Sequence, residues 1–233
     1  MQDINILYRN YYSTDLINKI LKFINKQEGA FMKDINIHSN TEVFKKAEEI
    51  YLKNSSQKVI MLIHGYTGTP AEMKFLAKKI DKKSNFSIYI PRLPGHGTNS
   101  QDFRQSEAKD WLRKIYDSYL NLKTKYKDIY LIGLSMGGLL ALLTAARFRV
   151  KKLVTISAAL NTKNKLVPLT PILKYFLPVI KQKSGEKRIE NAENEIERKF
   201  QENYHRYHYT AQIAELVKLM KLSRNKLTKI NIP

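Results

Sequence analysis

The sequence predicts an α/β fold: a mostly parallel sheet with helices on both faces, interrupted late in the chain by a helical insertion. Three observations carry that expectation. Short runs rich in β-branched and aliphatic residues, at Val59–Ile63, Phe86–Ile90, Ile129–Ile132 and Lys152–Ser157, alternate with longer segments of helical periodicity. Right-handed βαβ crossovers generate that order. Val59–Ile63 is apolar without a break, as a strand buried on both faces requires. From residue 160 to residue 228 the alternation stops and no strand is expected.

Residues 1–55 read as a polar N-terminal extension. Within it Leu16, Ile17, Ile20, Leu21 and Ile24 form one helical stripe. Such a stripe packs on its own domain or frays, with a membrane-surface helix as the alternative. The core is expected over 56–159. After the first strand comes the turn His64–Gly68, then a helix start with Thr69 as N-cap, Pro70 at the first helical position and Glu72 closing a capping box. Met73, Leu76, Ala77 and Ile80 continue its buried stripe. The strand Phe86–Ile90 runs into Pro91 and the loop Pro94–Gly97, and Glu107 to Lys125 forms a helix burying Trp111, Leu112, Ile115 and Tyr119. Residues 160–228 carry prolines at 168, 171 and 178, a charged helical stretch Glu186–Gln201 and an apolar helical stripe over Ala211–Leu222. A segment so long is expected to be a helical lid. Residues 229–233 read as the approach to a further strand.

Composition narrows the function classes. With no cysteine in 233 residues, disulfides, thiol catalysis and cysteine metal sites are excluded. No His, Asp or Glu triplet has metal-ligand spacing, so neither metal nor other cofactor is expected. Ile129–Ala146 is uncharged for 18 residues, but its three central glycines fit a buried strand and helix better than a membrane span. With no secretion signal read at the N-terminus, the expected compartment is cytoplasmic. The 41 Lys+Arg against 21 Asp+Glu give a net charge of +20. These cations are scattered, and no nucleic-acid-binding signature accompanies them. A solvated basic surface is therefore expected rather than a nucleic-acid partner; membrane-surface contact is the less favoured option, and oligomeric state is open.

The chemistry-bearing motif is Gly133–Gly138, which places Ser135 in a G-x-S-x-G pattern between a strand-like and a helix-like run. In that context the serine sits on a tight strand-to-helix turn, its hydroxyl clear of the sheet and the helix N-terminus favouring developing negative charge. Downstream of Ser135 there is no aspartate, and the glutamates and the two histidines, His205 and His208, all fall in the insertion, where the histidines are expected to pack at its edge or meet solvent. His64 and His96 sit in loops near the mouth of the site, where they are expected to support their turns.

Leu62–Gly68, Pro91–Gly97, Asp110–Trp111 and Gly133–Gly138, in this order and spacing, resemble the α/β-hydrolase superfamily, most closely its bacterial carboxylesterase and monoacylglycerol-lipase-like branch. The likeness covers about residues 57–233. It implies an α/β-hydrolase fold and a serine ester hydrolase for short or medium acyl esters, with Ser135 as the acyl-accepting nucleophile. It also implies an oxyanion hole made by the backbone N–H groups of Met136 and Tyr66. In such a family the acid and histidine of the triad follow the nucleophile on later strands. The expectation is a chain that stops at Pro233, about two βα units of some 30 residues each before those groups, and whose activity is impaired. A catalytically inactive binding or regulatory protein is the alternative, and complementation by a separate C-terminal piece a third reading.

Overall fold

The computed structural model describes residues 41–164, 166–181, 189–190 and 194–232. The stripe at Leu16–Ile24 and the first part of the charged stretch at 186–201 lie outside the described residues. Residues from Thr41 onward form one compact unit.

Strand β2 (Lys58–Ile63) is the centre of a five-stranded sheet. Because side chains alternate across a strand, its unbroken apolar run splits between two cores. Val59, Met61 and Ile63 face the larger cluster with Trp111, Ile115, Leu139 and Leu140. Ile60 and Leu62 face a smaller one with Met73, Ala77, Ile88 and Ile90. The smaller cluster is closed by helix α1 (Pro70–Asp81). After α1 comes β3 (Ser87–Ile90), parallel to β2. Helices α2 (Ser100–Gln105) and α3 (Ala108–Lys123) then lead to β4 (Asp128–Leu134), which is parallel to β2 on its other side. Helix α4 (Met136–Arg147) returns to β5 (Lys152–Ile156), a parallel edge strand whose Val154 and Ile156 are exposed.

The remaining residues form a 3-10 turn at Val167–Leu169, the short helix α5 (Thr170–Leu173), strand β6 (Val179–Lys181), helix α6 (Glu195–His205), strand β7 (Tyr207–Tyr209) and helix α7 (Thr210–Lys226). Tyr204, Tyr209, Leu219 and Met220 bury into the larger cluster, so this part of the chain is packed on the sheet domain rather than tethered to it.

Several local expectations are corrected. The lead-in supplies a strand, β1 (Ile50–Leu52), which pairs antiparallel with β3, Ile50 opposite Ile90. Three half-buried residues flanked by polar ones give too short a pattern to read. The insertion contains strands too: β6 and β7 pair antiparallel, Val179 opposite Tyr209, a non-local pairing seeded where Thr210 donates through Oγ1 to the Leu177 carbonyl at 2.8 Å and through N to Pro178 at 3.1 Å. Thr69 does take the N-cap position of α1, yet its side chain makes no cap hydrogen bond. The capping box forms instead on α3, between Glu107 and Asp110. A 3-10 turn at Leu227–Lys229 follows α7, and Ile230 and Ile232 pack on the larger cluster.

Candidate functional site

Ser135 joins β4 to α4 with φ 52° and ψ −114°, a conformation that costs an L-residue roughly 1–3 kcal/mol and persists only where its surroundings enforce it. The enforcement is visible. Ser135 donates its N–H to the Ile156 carbonyl at 2.8 Å, and its own carbonyl accepts from Gly138 at 3.0 Å. Two glycines make the turn sterically feasible. A Cβ on Gly133 would stand 2.2 Å from the Gly137 carbonyl oxygen, and one on Gly137 would stand 2.2 Å from that of Ile63. Met136 is fully buried as the first residue of α4, where the first-turn N–H groups lie outside the intrahelical ladder.

The loop after β2 meets this turn. A Cβ built on Gly65 would lie 3.5 Å from the Ser135 Cβ, which sets the Gly65–Tyr66 backbone beside the serine. Thr67 in that loop has φ 55° and Ser157, just after β5, has φ 48°. For a β-branched residue such as Thr67 a positive φ is a genuine outlier. All three strained residues gather at the C-terminal ends of parallel strands, where open α/β sheets place their ligands. The Tyr66 ring is seated edge-on against Phe103 and Trp111, with centroids 5.5 and 6.5 Å away. Its burial raises the phenol above its ordinary pKa.

The two loop histidines are structural. His64 is fully buried, accepts at Nε2 from Leu93 N–H at 3.3 Å and donates from Nδ1 to the Gly65 carbonyl at 3.1 Å. Both ring nitrogens are thus committed to tying the loop after β2 to that after β3. Burial pushes its pKa down to about 4. His96 donates from Nδ1 to the Pro94 carbonyl at 2.9 Å, lies 5.2 Å from His64 ring to ring, and is likewise held neutral by burial.

His205 and His208 were expected at the edge of the insertion or in solvent. Instead His205 is buried, edge-on to Tyr204 at 4.8 Å and to Phe200 at 6.0 Å. It ends an amphipathic helix whose inner face turns it into the domain. His208 is half-buried in β7, and burial lowers its pKa. Among the described residues the Ser135 hydroxyl has no hydrogen-bond partner, so neither histidine holds it. Glu215 is buried too, but its carboxylate accepts from Ala108 N–H at 3.2 Å, at the start of α3. Among the described residues no group of three or more His, Asp or Glu could hold a metal ion, and no helix is long and apolar enough to cross a membrane.

Ser135, Met136 and Tyr66, expected from the sequence to form the site, lie together at one end of the sheet. The sequence missed the strain at Thr67 and Ser157, which has no residue-type signal. Leu166, Leu169, Ile172 and Phe176 of the insertion are 61, 48, 63 and 82% exposed.

The sequence matches the alpha/beta hydrolase fold family over residues 58–225. A thermostable monoacylglycerol lipase of a Bacillus species is 37% identical over 120 residues, 51% of this chain and 47% of the relative. A carboxylesterase of Bacillus subtilis is 28% identical over 119 residues, 51% of this chain and 48% of the relative. The chain thus spans about half the length of the curated relatives it matches. Among solved structures, one from work on the metagenome-derived lipolytic enzymes LipS and LipT superposes with a TM-score of 0.70 at 24% identity, over 82% of this chain and 75% of that one. The monoacylglycerol lipase of Paleococcus ferrophilus gives 0.60 at 16% identity, over 80% and 74%. Both share the fold.

Two outcomes follow from the geometry. Gly137→Ala should cost more than about 3 kcal/mol because its methyl meets a strand carbonyl that cannot move, whereas Gly65→Ala, with ordinary 3.5 Å contacts, should cost under about 1 kcal/mol. Urea unfolding followed by circular dichroism separates them, and equal costs would contradict the close crossing. For His64, the unfolded chain takes up a proton below pH 6.5 while the folded chain resists until about pH 4. Its contribution is therefore complete above pH 6.5 and shrinks as pH falls through that window, by up to about 3 kcal/mol at the lower end. His64→Gln should flatten the pH dependence between 6.5 and about 4; an unchanged slope would mean that His64 is protonated in the fold.

Proposed function

The chain belongs to the α/β hydrolase fold family, and we propose that it is a carboxylic ester hydrolase that forms its acyl-enzyme on Ser135. The observation that carries this reading is the strained Ser135 at the end of β4, pinned against the Gly65–Tyr66 loop. In the proposed reaction Ser135 Oγ attacks the ester carbonyl carbon, the new C–O bond forms, and the carbonyl electron pair moves onto oxygen. The backbone N–H groups of Tyr66 and Met136 receive that oxyanion, each worth about 3–4 kcal/mol in sites of this kind. Collapse breaks the ester C–O bond; the alkoxide leaves as the alcohol, taking up through solvent the proton that Ser135 gives up, and the acyl group stays on serine until water removes it as the acid.

Attack requires the serine proton to leave, and deacylation requires water to lose one. His64 and His96 are unsuited to either task, because their Nδ1–H groups are spent on carbonyls and burial disfavours the protonated ring. With no histidine among the described residues hydrogen-bonded to the Ser135 hydroxyl, we propose slow turnover. The preferred esters are short or medium acyl esters, whose chains the exposed Leu166, Ile172 and Phe176 would receive. A second reading, a binding protein that holds esters without turning them over, is favoured by the Ser135 hydroxyl having no acceptor among the described residues.

Hydrolysis of p-nitrophenyl butyrate decides among these. Slow hydrolysis by the intact chain should vanish in Ser135→Ala and change less than about threefold in His205→Ala and His208→Ala. Where a serine–histidine pair does work as a unit, loss of either member costs about the same, on the order of a millionfold. A histidine variant as inactive as Ser135→Ala would make that histidine the base and overturn slow turnover. An undiminished rate in Ser135→Ala would remove Ser135 from the chemistry. No hydrolysis, with butyrate esters nonetheless raising the melting temperature, would establish the binding reading.

A further inference from the structure

We infer a second ligand site, at the end of the sheet opposite Ser135, for a small anion bearing two or more phosphate groups. A cavity of about 680 Å³ opens beneath the N-terminal ends of β4 and β5. Strand β4 runs seven residues from Asp128 to Leu134, so about 20 Å of strand separates this cavity from Ser135. Ester chemistry at the other end makes no use of it.

The lining is lopsided in charge. Lys123, Lys127, Arg149, Lys151 and Lys152 surround it against one carboxylate, Asp128, which Lys151 approaches at 3.7 Å. The cations come from three separate pieces of chain: the end of α3, the connection into β4, and the turn from α4 into β5. Their backbones are fixed. Lys127 and Asp128 both donate N–H to the Gln57 carbonyl, at 2.9 and 3.2 Å, and Lys151 donates to Ile129 at 2.8 Å. The Arg149 carbonyl accepts from the Tyr119 hydroxyl at 2.6 Å. Ile129 and Val150, both buried, contribute apolar wall.

Like charges lining one cavity repel one another, and a multiply charged anion would relieve the repulsion while gaining attraction from each cation. The volume lies in the range of small-molecule sites, about 300–1,000 Å³. A concave site of this size suits a compact polyphosphate better than a duplex, whose backbone would need a basic stripe continuing along the surface. Phosphate groups of this kind could be carried by a soluble metabolite or by a phosphorylated lipid headgroup.

The test is calorimetric titration of the whole chain with tripolyphosphate at about 0.15 M salt, where the Debye length is about 8 Å. Lys123→Glu/Lys127→Glu/Arg149→Glu reverses three exposed cations of the cavity. Lys78→Glu/Lys79→Glu/Lys82→Glu makes the same change in net charge at the exposed end of α1. Tripolyphosphate should bind, weaken at least about tenfold in the cavity variant and stay within about twofold in the control, as a localised rather than diffuse electrostatic site demands. Vesicles containing a phosphorylated phosphatidylinositol identify the source. Displacement of the chain from them by tripolyphosphate assigns the same cavity to a headgroup, whereas binding of tripolyphosphate alone assigns it to a soluble ligand. Equal weakening in both variants, or no binding of either probe, overturns the site. Duplex DNA that binds more tightly than tripolyphosphate and is lost in the cavity variant overturns the small-ligand assignment.

Discussion

Helix α4 starts so close to the end of β2 that no side chain fits between them. The Gly137 Cα faces the Ile63 and His64 carbonyls, and Gly133 faces Gly137 itself. That crossing sets the position of everything else at this end of the sheet. It forces the chain to turn within a single residue, which places Ser135 at positive φ. It brings the loop after β2 beside the serine at the N-terminus of α4. Strain stored in Ser135 is offset by the buried strands and helix on either side of it, since Met61, Leu62, Ile63, Leu139 and Leu140 are all fully enclosed.

A second constraint holds the remainder of the chain to that site. Phe103, Trp111 and Tyr66 form an aromatic group that His96 joins from one side and Tyr204 and Tyr209 from another. The Trp111 indole is anchored by donation from Nε1 to the Ser106 hydroxyl at 3.0 Å. Through this group α6 and β7 are packed directly behind the loop that carries Tyr66. These elements thus support that loop from behind, while Leu166, Leu169, Ile172 and Phe176, earlier in the insertion, are open to solvent.

The α/β class and the serine turn were legible because both rest on local signals: an unbroken apolar run at Val59–Ile63, helical stripes between strands, and glycines bracketing Ser135. What escaped were pairings and conformations without such signals. Strands β1, β6 and β7 have three residues each, too few to show alternation, and β6 finds β7 across a long stretch of chain. Positive φ at Thr67 runs against residue preference and is imposed by tertiary packing. The burial of His205 depends on which face of α6 turns inward. Net charge was legible as a total, but its concentration around the N-terminal ends of β4 and β5 was not, because Lys123, Lys127 and Arg149 come from separate turns.

We propose that Ser135 accepts an acyl group from an activated ester and, with no base hydrogen-bonded to its hydroxyl among the described residues, gives it up slowly. An acyl-enzyme should then accumulate. Intact-mass analysis with peptide mapping, after incubation with excess p-nitrophenyl butyrate, tests this directly. One butyryl adduct is expected on the peptide containing Ser135, absent when Ser135 is replaced by alanine. No adduct at that peptide, or acylation confined to surface lysines and unchanged by the replacement, would contradict it.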